Sequence, residues 1–154
     1  MSIKLTLAVQ YAIPVPELPR WRLKRWVQRG LDIAAEAMPE LRGAALTVRL
    51  VDLDEGRELN KQFRARDYAT NVLTFEYGLD PDGVMAGDVV LCLPVLQREA
   101  DEQGKALQHH AAHLVVHGVL HSLGHDHLDD AQAQVMEGLE KRILASMRIA
   151  DPYA

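Results

Sequence analysis

The chain has a single cysteine, Cys92, among its 154 residues. Without a second thiol no intramolecular disulfide can form. Cys92 lies inside the apolar run Val89-Val90-Leu91-Cys92-Leu93 and reads as a buried small hydrophobe. An excess of positive charge is also missing: Lys and Arg total 17 against 22 Asp and Glu, for a formal net charge of −5. Nothing therefore draws the whole chain toward nucleic acid; any RNA must be held by a local basic patch, and DNA is not an expected partner. No apolar run approaches the ~20 residues of a membrane span, so no membrane partner is expected. The stretch Met1 to Leu7 alternates polar and apolar residues and lacks the apolar core and cleavage site of a signal peptide, which leads to the expectation of a cytoplasmic protein. Repeats, linkers and low-complexity segments are absent too, so residues 1–154 are expected to form one domain.

What is present is a regular succession of patterned segments. Residues 3–10 alternate as a strand does, and Pro14, Pro16 and Pro19 then break regular structure. From Leu18 to Met38 apolar residues recur at helical spacing, until Pro39 and Gly43. Leu46–Val51 reads as a second strand. Asp54 is placed to cap a helix from Glu55 to about Arg64, with Leu59 and Phe63 on its inner face. Asn71–Tyr77 and Ala86–Leu93 read as strands joined by a turn at Gly78–Gly83. Pro94 starts a helix that Gly104 interrupts, residues 106–123 form another, and Asp129 or Asp130 caps a last one to about Ile149. The order β-α-β-α-β-β-α-α-α predicts an α/β (α+β) domain: a small mixed four-stranded sheet packed against about five helices, with at least one antiparallel pair at the hairpin.

The chemistry concentrates in His117-Gly118-Val119-Leu120-His121-Ser122-Leu123-Gly124-His125-Asp126-His127, an H-x-x-x-H-x-x-G-x-x-H pattern. A helix advances about 100° per residue, so His117 and His121 share a face and can reach one ion. Gly124 lies where that helix stops and can adopt the left-handed turn that swings His127 back toward them. Three neutral imidazoles with an open fourth position describe a catalytic zinc site at the end of a core helix, holding one ion per chain. His125 is the rival third ligand, but it follows Gly124, where the helix has ended; His127 is preferred. His113 lies about a turn away from the ion and is expected to pack behind the ligands, while His109 and His110 are expected to face solvent. Asp126 either orients a ligating imidazole or is a solvated loop residue beside Asp129 and Asp130.

A further absence narrows the reaction. In H-E-x-x-H metallopeptidases the residue after the first histidine is the general base. Here it is Gly118, which carries no proton. A metal lowers the pKa of its own water toward about 7, but peptide cleavage also needs a proton delivered to a poor leaving amine. Phosphodiester cleavage rests more on stabilising charge at phosphorus, which a metal and an arginine supply. A peptidase-like hydrolase and a non-enzymatic assembly factor with a structural metal are the rival readings. A basic cluster, Arg20, Arg22, Lys24, Arg25 and Arg29 interleaved with Trp21 and Trp26, is either an RNA-holding surface or the solvated face of an amphipathic helix.

Three blocks carry a resemblance. They are Glu58-Leu59-Asn60-Lys61-Gln62-Phe63-Arg64-Ala65-Arg66-Asp67 with Thr70-Asn71-Val72-Leu73-Thr74-Phe75, then Gly87-Asp88-Val89-Val90-Leu91-Cys92, and then His113 to His121 with Leu123-Gly124 and Asp126-His127. In that order they resemble the YbeY family of rRNA maturation factors, single-strand-specific metallo-endoribonucleases. The resemblance covers about residues 50–127. It implies zinc on His117, His121 and His127, and Arg64 serving RNA cleavage. It also implies action on the 3′ end of small-subunit rRNA and in ribosome quality control, with single-stranded RNA, the ribosome and ribosomal proteins as partners. Arginine suits the role because its planar fork holds two phosphate oxygens at once. Arg66 is a weaker candidate for the same surface, and Arg22, Arg25 and Arg29 are candidates for holding RNA elsewhere. The chain departs from the family pattern at His125, where Tyr is usual, and at Ala69, where Pro is usual.

Overall fold

Alternation of apolar and polar residues builds strand β1, Lys4–Tyr11, which turns Leu5, Leu7 and Val9 toward the core. The computed structural model describes residues 2–154; Met1, the first residue of the expected domain, lies outside them. Pro19 precedes helix α1, Arg20–Ala34, whose stripe of Leu23, Trp26, Val27, Leu31 and Ala34 is buried. A short 3-10 turn, Ala35–Ala37, follows. Then come β2 (Gly43–Val51), α2 (Leu53–Arg64), β3 (Val72–Leu79), β4 (Val84–Cys92), α3 (Leu93–Gln103), α4 (Leu107–Ser122) and α5 (Asp130–Ser146). The element order is the expected one. No helix among the described residues is long and apolar enough to cross a membrane.

The sheet runs β1-β2-β4-β3, with β1–β2 and β2–β4 parallel and β3–β4 antiparallel. It is thus the mixed four-stranded sheet expected. The hairpin turn is held by Asp80, whose carboxylate accepts the N–H groups of Asp82 and Val84. One face of the sheet, through Leu46, Val48, Leu50, Val89 and Leu91, packs on the helices in a single large core. Helix α4 is the centre of that core. It is apolar on nearly every side, as a helix surrounded by α1, α3, α5 and the sheet must be. Its approach to β4 is close: a Cβ on Gly118 would lie 2.8 Å from one methyl of Val89 and 2.9 Å from the other. The opposite face is only partly covered, by α2, over a smaller core of Val51, Leu73, Val90, Cys92 and Val95.

Two local expectations are corrected and a third is refined. The α2 cap is Asp52, whose carboxylate accepts the Glu55 N–H at 2.9 Å; Asp54 already lies in the helix's first turn, where its charge complements the helix dipole. Leu59 packs against the smaller core as expected, and Phe63, on the same face of α2, meets Phe75 edge-on with ring centroids 5.2 Å apart but remains 56% exposed. The most deeply buried residues of that face are Gly56, which passes Cys92, and Asn60, whose amide donates to the Tyr68 carbonyl. His110 does not face solvent: it is buried against Glu99, whose carboxylate lies 2.9 Å from its Nε2. His109 is exposed, as expected.

Candidate metal centre

Helix α4 ends at Ser122, and Gly124 then takes the left-handed conformation, with φ of 95°. Its N–H bonds the His121 carbonyl at 2.9 Å, and the His125 N–H reaches back to the Leu120 carbonyl at 3.0 Å. This stop reverses the chain and brings His127 over the helix end. The ring centroids of His117 and His121 are 4.6 Å apart, those of His117 and His127 5.6 Å, and those of His121 and His127 5.2 Å. One ring nitrogen from each of the three lies within 4.8 Å of the others. That bound includes the ~3.3 Å separation that two nitrogens keep on one tetrahedral zinc with bonds of about 2.0–2.1 Å. The cluster contains His127 and not His125.

Sequence reasoning missed the residue behind the triad. Glu140, on α5, is fully buried. Its Oε1 lies 2.5 Å from His117 Nδ1, and its Oε2 lies 3.0 Å from His113 Nε2 and also accepts the Tyr153 hydroxyl. A signal existed: Met136, Glu140, Ile143, Leu144 and Met147 form one buried stripe, and a glutamate in an apolar stripe needs partners. His113 therefore stands behind the ligands, bonded to Glu140. Asp126 lines the cleft beside the triad, and its Oδ1 accepts the His127 N–H at 2.8 Å, which fixes the backbone that carries the third histidine. Asp129 caps α5 by accepting the Gln132 N–H at 2.7 Å, which settles the choice between it and Asp130.

The electrostatics favour a ligating state. Burial, followed by the neighbouring His117 and His127, pushes the His121 pKa down to about 4, so its ring is neutral at neutral pH. His125 is also pushed down by burial. For Glu140 burial works the other way and raises the pKa, but donors from His113, His117 and Tyr153 outweigh it and hold the carboxyl at about 2. The Tyr153 phenol is pushed up by burial and by Glu140 beside it. Three converging imidazoles, with one side open, fit a metal ion that keeps a free coordination position.

That open side is a cleft of about 450 Å³ lined by His117, His121 and His127 together with Arg64, Thr74 and Glu76. Arg64, the last residue of α2, is thus brought to the triad from the other side of the sheet's β3 edge. Asp67, one possible partner for it, is taken by Arg57 at 2.7 and 3.0 Å. Arg66 is exposed, bonds the Tyr68 hydroxyl at 3.1 Å and does not line the cleft. Nor do Arg22, Arg25 and Arg29 on α1. Of the two tryptophans beside them, Trp26 belongs to the core, while Trp21 is 60% exposed with the Arg22 guanidinium 4.9 Å from its ring.

Comparison with known proteins places this architecture. The endoribonuclease YbeY of Bordetella pertussis is 60% identical over 154 residues, covering 99% of this chain and 98% of the relative. Those of Stenotrophomonas maltophilia and Methylibium petroleiphilum are 50% and 47% identical, each covering 99% of this chain and 95% of the relative. The solution structure of TM1509 from Thermotoga maritima shares the fold, with a TM-score of 0.61 and 22% identity, covering 93% of this chain and 92% of that one. The model of the family described as endoribonuclease YbeY matches residues 13–148. With its histidine triad, its cleft and these relatives taken together, the chain belongs to the endoribonuclease YbeY family.

Proposed function

We propose that this protein is a zinc-dependent endoribonuclease specific for single-stranded RNA, acting in the cytoplasm in 3′-end maturation of small-subunit rRNA and in ribosome quality control. Its partners in that work are the ribosome and ribosomal proteins. The observation that carries the reading is that one cleft holds both the His117–His121–His127 cluster and Arg64. When bound, the metal supplies a Lewis acid beside the scissile phosphate. Arg64 supplies a fork of N–H donors for the phosphate oxygens, aimed where negative charge develops. Gly118 leaves the position after the first histidine without a proton carrier, which suits phosphoryl chemistry better than peptide cleavage. Arg66, and more remotely Arg22, Arg25 and Arg29, extend the positive surface along which a longer RNA is held.

Cleavage of defined single-stranded rRNA fragments by wild type, Arg64→Ala and His121→Ala tests the reading. Wild type is expected to carry about one zinc, as a single three-ligand site requires. Arg64→Ala is expected to lose roughly 10²-fold or more in rate with its zinc retained, and His121→Ala to lose both zinc and activity. Equal cleavage by all three would mean a contaminating nuclease and would end the proposal.

A further inference from the structure

Glu140 is a fully buried carboxylate, and a buried carboxylate is tolerated only where donors surround it. It has three: His117 Nδ1, His113 Nε2 and the Tyr153 hydroxyl. An ionised carboxylate only accepts, so each of these contacts fixes a proton on the partner. A neutral imidazole has one N–H. If His117 spends it at Nδ1, the lone pair on its Nε2 is free. If His113 spends it at Nε2, its free lone pair is on Nδ1, at a ring whose centroid is 6.3 Å from that of His117. One carboxylate thus fixes opposite tautomers on two histidines four residues apart on the same helix.

We infer that Glu140 is a positioning residue of the metal centre: it presents His117 Nε2 to the ion, keeps His113 out of the ligand set, and is itself held by Tyr153. The inference rests on reading the triad as a metal site. It explains why His113, which shares the periodicity of His117 and His121, stands outside the cluster. It also assigns a role to Tyr153, far along the chain from the motif. A carboxylate behind a ligating imidazole raises ligand basicity, and its loss commonly costs 10–100-fold in metal affinity. A carboxylate that served only to dock α5 on α4 would leave both tautomers and metal affinity unmoved.

The test is nitrogen-15 NMR of histidine-labelled, metal-free protein at neutral pH, followed by zinc affinity from competition with a chelator. The wild type is expected to show His117 protonated at Nδ1 and bare at Nε2, with His113 the reverse. Glu140→Gln is expected to bind zinc 10–100-fold more weakly, and Tyr153→Phe to weaken it by a smaller factor with the carboxylate still in place. Should Glu140→Gln fail to fold, Tyr153→Phe still decides, since it removes one donor and little packing. A proton on His117 Nε2 in metal-free wild type would overturn the inference, as would wild-type zinc affinity in the folded variants. Failure of wild type to bind zinc at all would overturn the metal reading itself, which the metal-free NMR result distinguishes.

Discussion

Gly118 stands where a metallopeptidase of the same helix pattern carries its glutamate, and its neighbour shows what glycine does there. The two methyls of Val89 lie within 3 Å of any Cβ at this position. Two effects oppose one another in Gly118→Ala. Intrinsic helix propensity favours alanine by about 1 kcal/mol. Overpacking a rigid core costs about 1–3 kcal/mol, and Val89 is a β-branched residue held in the middle of a sheet, with little freedom to move aside. Overpacking wins, so Gly118→Ala is expected to destabilise by about 1 kcal/mol and to lower the urea midpoint. Gly118→Glu is expected to lose far more and to gain no peptidase activity. An unchanged midpoint for the alanine variant would show that Val89 yields.

Among the elements, α2 is the one whose docking matters most for the cleft, because its last residue is Arg64. It docks where Gly56 passes Cys92, a Cβ there lying 2.9 Å from the sulfur. Burial pushes the Cys92 thiol above its ordinary value. A raised pKa means less thiolate at every pH up to it, so the native thiol lags an unfolded one in alkylation. Its contribution to stability is whole below the ordinary thiol range and is lost as pH rises from there through the raised native value. Native protein is therefore expected to resist iodoacetamide at neutral pH and to react fully in denaturant, with any slow native reaction reporting the opening of α2. Rapid native alkylation would show that α2 is not closed over β4. The same element shows what the sequence can and cannot tell. Its existence and its end were legible from apolar spacing. Its inner face was legible too, since Leu59 packs on the smaller core and Phe63 on Phe75, but the deep burial of Gly56 and Asn60 on that face was not, because neither is apolar enough to announce it. The triad was legible because it is local, eleven residues from first to last ligand. Glu140 and His110 were not, since each owes its burial to a helix packed against it rather than to its neighbours in sequence.

As a whole the molecule carries a net charge of −5, so its attraction for RNA is confined to a few cations. Each phosphate contacted on a single strand contributes about −0.7 to the slope of log affinity against log salt. A shallow slope is expected, and Arg64→Gln is expected to reduce it by about that amount. Replacing Arg22, Arg25 and Arg29 together is expected to weaken binding of a long rRNA fragment while leaving cleavage of a short one unchanged, because these residues lie off the cleft. Loss of short-fragment cleavage in that variant would place α1 in the site itself.

The reach of the site along the chain has a consequence in time. Ligands and supports enter in the order His113, His117, His121, His127, Glu140, Tyr153. A nascent chain lengthens from its N-terminus. One that has just released His121 holds imidazoles with no carboxylate to set their protons and no returning turn to close the set. The last side chain of the network is made 36 residues after the first ligand, Tyr153 against His117. The network that supports the triad therefore closes only once Tyr153 has been made, well after the last of the three histidines.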